Sequence, residues 1–534
     1  MHPCLNVDEI LRIVTCQLLK LEAKATAVSL ACCCRNFGDP VLDELWETQD
    51  RLRPLLKCLP EGVWEEEEDG SLVSQLVIAV YPLLKYSFPQ FFQRIPTKAE
   101  WADLRKYTRR VKNIEVLPST DPLTSEILLA LQFRTANEPF LPRLKRFECK
   151  EPTEAFIPFI PFFLSPTTIE IDITFRSDTP TMIVAPVIGR LSTLCPELNF
   201  VTLKDLGRDP VITDAVSEML LACNQDSLQT FFVDSPLTEE AREVLFQLPK
   251  LSGLWIVIQG NTRLLPVSLP SLKEIDVEFD SSLDWLQGFR GVTFERLEEV
   301  YFRSESEQIG DLLREFESVA LTMSVQNTLS VFWFHTSRSW VPNYSSLLSF
   351  KQLKTLEIQF SCDDGCFSTV DDEIIARLAQ AMPKLEILKL GEEPCETPAG
   401  VTVNGLVTLT SSCPHLSRLA IHFQADSLVS AANTASTTSL DDTLVVKRED
   451  CALTVLEVGE IPIPSGSAMT VTLVLLQIFP HILNIEYTNQ GWKAIAEHIK
   501  SFRQIGTFIR RIGKVHFQVQ LSLALNHALP GGPN

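Results

Sequence analysis

The sequence predicts an α/β protein. Three short N-terminal helices precede an irregular solenoid of strand–helix repeats, with curved parallel strands and helices on the convex side. Three observations carry that reading. From Val111 onward an apolar phrase returns at intervals of roughly 21 to 32 residues. Segments with helical periodicity fill the gaps between its copies. The stretch Leu5 to Trp46 holds three amphipathic stripes too small to bury one another fully.

The first stripe is Val7, Ile10, Leu11, Val14 and Leu18, behind an expected Asn6 cap that Glu9 completes as a capping box. The second helix is expected from about Glu22 to Cys34, with Ala23, Ala27, Leu30, Ala31 and Cys34 on one face. Arg35 to Gly38 is expected to break it. Asp39 and Pro40 then restart the chain as N-cap and first helical residue, ahead of Val41, Leu42, Leu45 and Trp46. Apolar surface left over from these helices must meet another part of the chain or another protein.

These residues resemble the F-box. Leu5 to Leu11, Val28 to Cys32, Cys34 to Phe37 and Leu45-Trp46 carry the likeness, with Asn6 where the family usually has proline. Arg53 to Pro60, Trp101 and Tyr107 to Val111 extend it toward F-box proteins abundant in mushroom-forming fungi. The resemblance implies docking on a Skp-type adaptor of a cullin–RING ubiquitin ligase through Leu5, Val7, Ile10, Leu11, Leu30, Cys34 and Trp46. The plainer alternative is a helical cap on a larger domain.

Further along, Glu61 to Gly70 reads as a solvated acidic loop, and Leu72 to Leu84 as an apolar helix or strand. Thr97 to Val111 reads as a helix with basic residues near its C-terminus, where the dipole favours them.

The repeating phrase has an apolar residue, two others, a second apolar residue, one other, and a third apolar residue. Copies begin at Leu144, Leu198, Leu228, Leu251, Leu272, Leu297, Leu329, Leu353, Leu385, Leu416 and Leu453, with weaker ones at Ile169 and Ile482. So short a strand needs a neighbour on each side. Asp214 to Cys223, Glu239 to Leu248, Gly310 to Met323 and Glu373 to Met382 have helical spacing between copies. From Val111 to Tyr487 the pattern is similar to irregular leucine-rich repeat proteins; an ordinary alternating α/β sheet would have longer and fewer strands. The expected organisation is 1–60 F-box-like, 61–110 linker and N-terminal cap, 111–488 solenoid, and 489–534 C-terminal cap and tail. In that tail Gly491 to Ile505 forms an amphipathic helix, Lys514 to Leu523 an edge strand, and Leu529 to Asn534 a frayed end.

Alternation along a strand places the residue between the second and third apolar positions on the concave face. In chain order these include Glu148, Asp172, Thr202, Phe232, Trp255, Asp276, Tyr301, Trp333, Glu357, Lys389 and Ala420. A target-binding surface is expected from Phe232, Trp255, Asp276, Tyr301, Trp333 and Glu357, edged by Arg303 and His335, favouring a partner with exposed basic groups. A one-residue register slip, or covering loops, would remove it.

Composition narrows the function classes. With 47 basic and 68 acidic residues the net charge is −21, which argues against nucleic acid or anionic membrane as partner. The contiguous Cys32, Cys33 and Cys34, and Cys16, Cys149, Cys223 and Cys451 among apolar neighbours, read as reduced thiols of a cytoplasmic or nuclear protein. Cys362 and Cys366 lack a second pair with ligand spacing, so no metal is expected. No phosphate loop, His-Glu-x-x-His or Gly-x-Ser-x-Gly is present. The expectation is a non-enzymatic ligase adaptor without cofactor, binding an unknown target protein; the alternatives are a stand-alone repeat scaffold and, more remotely, a hydrolase.

Overall fold

A computed structural model describes residues 7–60, 63–66, 72–74, 97–117, 128–129, 131–132, 138–259, 269–279, 283, 286, 289, 294–304, 312–323, 325–337, 342–360, 370–391, 400–435, 451–459 and 461–512. The chain forms two compact units, Met1–Val257 and Ile258–Asn534.

The first unit opens with α1 (Asp8–Lys20), α2 (Lys24–Cys33) and α3 (Arg35–Glu47). Two local expectations need correction. Helix α1 starts behind Val7, which supplies no side-chain cap, and Asn6 lies outside the described residues. Arg35 to Gly38 does not break the chain. Cys34 alone turns it, with an extended backbone (φ −158°, ψ 158°), and α3 carries Pro40 in its interior. The reason lies in the core. Phe37 and Val41 sit four apart on one face and must both reach Leu11 and Ala27, which requires helix before the proline. That packing outweighs the backbone hydrogen bond the proline removes.

Helix α3 runs directly into β1 (Thr48–Gln49), which pairs in parallel with β4 (Asn113–Val116). Between them lies an antiparallel hairpin, β2 (Trp64–Glu66) with β3 (Leu72–Ser74), so Glu65 and Glu66 are strand residues rather than loop. The remainder of Leu72 to Leu84 lies outside the described residues. The helix Lys98–Thr108 begins with a complete capping box in which Thr97 and Glu100 each satisfy the other's backbone N–H.

Parallel strands then follow in chain order. After β4 come β5 (Arg146–Lys150), β6 (Glu170–Thr174), β7 (Phe200–Lys204), β8 (Thr230–Pro236) and β9 (Gly253–Ile258). The second unit repeats the plan. It contains β10 (Glu274–Phe279), β11 (Glu299–Ser304), β12 (Val331–Thr336), β13 (Thr355–Phe360), β14 (Ile387–Leu390), β15 (Arg418–Ile421), β16 (Val455–Gly459) and β17 (Asn484–Tyr487), each parallel to the next. Every expected phrase start from Leu144 to Ile482 stands just ahead of one of these strands. Each unit is a strand stack of the leucine-rich-repeat kind.

One contact recurs at strand entry. In most repeats the two opening residues donate their N–H groups to a single carbonyl of the repeat before. Lys145 and Arg146 bond Lys112 O, and Gln229 and Thr230 bond Asn199 O; in the second unit, Lys354 and Thr355 bond Ser330 O. The hook needs only backbone, so repeats of unequal length and different sequence still stack in one register.

The core lies between the strands and the helices that return along them. Phe302 and Phe332 on neighbouring strands meet Phe316 of the helix Leu312–Met323 at 5.4 and 5.2 Å, and Phe350 stacks behind it at 5.5 Å. The expected helices appear as Pro210–Ala222, Glu239–Leu245, Leu312–Met323 and Asp372–Ala381. The terminal helix Gly491–Ile512 is longer than expected and buries Trp492, Ile495, Ala496 and Ile499. Lys514 to Leu523 and Leu529 to Asn534 lie outside the described residues. No helix among the described residues is long and apolar enough to cross a membrane.

Candidate functional sites

The residues expected to be functional lie on two surfaces. The first is the three-helix head. Its small core leaves Val7, Ile13, Val14, Leu21 and Val28 in solvent, with Ile13 62% and Leu21 76% exposed. These apolar side chains are left without cover on the described head. Of the residues expected to dock, Val7 lies on this surface and Ile10 is half-buried. Leu11 is in the core; Leu30 and Cys34 pack against it. Trp46 turns the other way, its ring 5.1 Å from Tyr107. Leu5 lies outside the described residues. Ile13, Leu21 and Val28 are exposed apolar residues outside the expected docking set. The signal for Ile13 was available, as it is apolar yet off the α1 stripe.

The head is fastened to the repeats. Lys112 N donates to Glu47 O at 2.8 Å, and Asn113 Nδ2 to Thr48 Oγ1 at 3.1 Å. Arg110 pairs with both Asp39 and Asp43 of α3, and Lys112 with Glu47. Arg12 of α1 shares Asp43 with Arg110 and also joins Glu44, and those two carboxylates hold its guanidinium above the usual arginine value.

The second surface is the sheet face turned away from the helices. Strand register aligns its side chains into rows, and the expected solvent-facing residues fall in one row within each unit. In the first unit the row is Glu115, Glu148, Asp172, Thr202, Phe232 and Trp255. Its acidic end is strongly paired. Lys150 reaches Glu115 at 3.2 Å and Glu148 at 2.8 Å, and Arg146 reaches Glu148 at 3.1 Å. Burial pushes Glu148 up, but the bonds from Lys150 and Arg146 outweigh it and leave its pKa lowered. Asp172 goes the other way, raised by burial and then by Glu148. Toward the other end Phe200 meets Phe232 edge-on at 6.4 Å. Gly253 lets the Phe232 ring lie close over the strand, since a Cβ there would sit 3.1 Å from the ring. Trp255, expected as an open anchor, is only 9% exposed, because every residue of β9 is buried.

In the second unit the row reads Asp276, Tyr301, Trp333, Glu357, Lys389, Ala420, Glu457 and Glu486. Tyr301 and Trp333 lie side by side, centroids 6.3 Å apart, both half-buried. Two residues along, His335 stacks flat on Trp333 at 5.6 Å and 13°. Arg303 does more than line the edge. It donates to Asp276 at 2.8 Å and places its guanidinium 5.5 Å from the Trp333 ring centre. Asp276, expected to be open, is 8% exposed. Lys389 stands 4.0 Å from Glu357 and 3.2 Å from Glu457; Arg418 pairs with Glu457 and with Glu486 at 2.6 Å.

Glu274 and Glu299 were missed. They are paired residues on β10 and β11, two positions before Asp276 and Tyr301 and hence on the same face. The signal was there: period two applies before the phrase as well as within it. The Tyr301 hydroxyl donates to Glu299 Oε2 at 2.7 Å, and burial followed by that hydrogen bond pushes the phenol up. Burial and then Glu299 push Glu274 up.

Cys16, Cys32, Cys33, Cys34, Cys58, Cys149, Cys195, Cys223, Cys413 and Cys451 are all free. Cys362 and Cys366 lie outside the described residues.

No protein-family model and no curated protein matches the chain. Among solved structures, a chain of the crystal structure of the Rad7 and Elc1 complex in yeast is 17% identical. The alignment covers 57% of this chain and 76% of that one, with a TM-score of 0.35.

Proposed function

We propose that this chain is a substrate-receptor subunit of a cullin–RING ubiquitin ligase. The three-helix head docks on a Skp-type adaptor, and the open sheet face of the repeats holds a target protein. The carrying observation is the head itself. It exposes Val7, Ile13, Val14, Leu21 and Val28, yet is bonded through β1, Arg110 and Lys112 to the first repeat. An apolar docking surface held rigidly on a repeat stack suits a protein that sets the distance between two bound partners. Catalysis would then come from proximity and orientation in the assembly, with no catalytic residue from this chain. Its free cysteines suit a reducing compartment, the cytoplasm or nucleus.

The test is co-purification with a fungal Skp-type adaptor, using the full chain and an Ile13→Asp, Leu21→Asp double variant. Both positions are exposed, so the circular dichroism spectrum and melting temperature should not change, while adaptor retention should fall at least about tenfold. If the unaltered chain retains no adaptor, or the variant retains as much, the ligase reading is wrong. The protein is then a stand-alone repeat scaffold.

A further inference from the structure

On the open face of the second unit, Arg303 and Lys389 already have partners. Arg303 is held by Asp276 and by the Trp333 ring, and Lys389 lies between Glu357 and Glu457. Two carboxylates are treated differently. Glu274 and Glu299 are direct neighbours across β10 and β11, and among the described residues neither has an ion-pair partner. Two like charges placed side by side on a sheet destabilise it, and both are partly withdrawn from water, which strengthens the repulsion. Tyr301 orients one of them by its hydroxyl bond to Glu299, and its ring lies against that of Trp333 on the next strand. Val331, next in that row after Glu299, adds an apolar neighbour.

We infer that this pair is the anchoring subsite of the target-binding face, and that its occupant is an arginine side chain of an extended peptide segment in the target. The inference rests on the target-receptor reading above. A guanidinium supplies what the site lacks. It is a planar cation with donors for two adjacent carboxylates, and it stacks on aromatic rings. The neighbouring strand already displays the arrangement internally, where Arg303 bonds a carboxylate while lying over an indole. An extended segment crossing these strands would pass Tyr301 and Trp333, and the arginine would fix its position along the repeats.

The probe is a blocked pentapeptide with a central arginine among small apolar residues, titrated into the full chain by calorimetry. Its twin carries citrulline, which keeps the shape and removes the charge. The arginine peptide should bind at least about tenfold more tightly than the citrulline peptide. A Glu274→Gln, Glu299→Gln double variant should abolish that preference and melt no lower than the unaltered chain, since it relieves a repulsion. Equal binding of the two peptides overturns the inference, as does a preference that survives in the variant, or no binding of the arginine peptide at millimolar concentration. Adaptor retention on the same samples separates the two claims. Intact retention without arginine preference removes this subsite alone; lost retention with intact preference removes the ligase reading alone.

Discussion

Replacing Trp492 with alanine should unzip the second unit from its C-terminal end. Trp492 opens the helix Gly491–Ile512, is fully buried, packs edge-on against Phe423 at 6.0 Å, and donates its indole N–H to Ile461 O at 2.8 Å. Removing a buried Trp ring costs about 3–5 kcal/mol through lost transfer energy and the cavity left behind. Orphaning a buried acceptor adds about 1–3 kcal/mol. Trp492→Phe keeps most of the ring and loses only the bond, so it should cost about 1–3 kcal/mol. In a repeat stack each element leans chiefly on its neighbours, so the loss should stay local. Hydrogen exchange resolved by segment is therefore the right assay, because a single unfolding free energy is ill-defined for a chain of two units. Amides of β16 and β17 should lose protection in Trp492→Ala, while those of β10 and β11 change little. The reasoning fails if the two variants cost the same, or if protection falls equally at β10 and β17.

Two other predictions rest on single side chains. Asp372 accepts Thr402 N at 2.7 Å, Thr402 Oγ1 at 2.5 Å and Gly405 N at 3.1 Å, so one carboxylate caps the first turn of the next helix, Val403–Ser412. Asp372→Ala should cost about 1–3 kcal/mol, read as lost exchange protection at Val403–Ser412. His422 is pushed down by burial, and its buried Nδ1 has no hydrogen-bond partner among the described residues. Between its lowered folded value and the unfolded value of about 6.5 the unfolded chain binds the extra proton. The contribution is therefore complete above about pH 6.5 and is lost as pH falls through the folded value. His422→Leu should flatten that part of the melting-temperature profile; an unchanged acid limb would count against it.

Much of this fold is local chemistry and was legible for that reason. An apolar residue at Leu353, then Leu356 and Ile358, is already a strand with one buried face, wherever its neighbours come from. Alternation likewise put Tyr301, Trp333 and Glu357 in one row, and register confirms the row. Helix limits were less legible. Pro40 reads as a helix start, yet α3 runs through it because Phe37 must reach the core beside Leu11.

The sequence by itself therefore determined the α/β class, the strand starts and the face on which each strand residue lies, because periodicity depends on residues a few positions apart. Only the tertiary structure decided how open each residue is and what charge faces it. Trp255 and Tyr301 occupy the same place in their phrases, but β9 is buried throughout and β11 is not. Arg303 finds Asp276 and Trp333, while among the described residues Glu274 meets Glu299's like charge, because the side chains that stand opposite on adjacent strands lie far apart in sequence. Burial and pairing are sums over such distant neighbours, and no local pattern contains them.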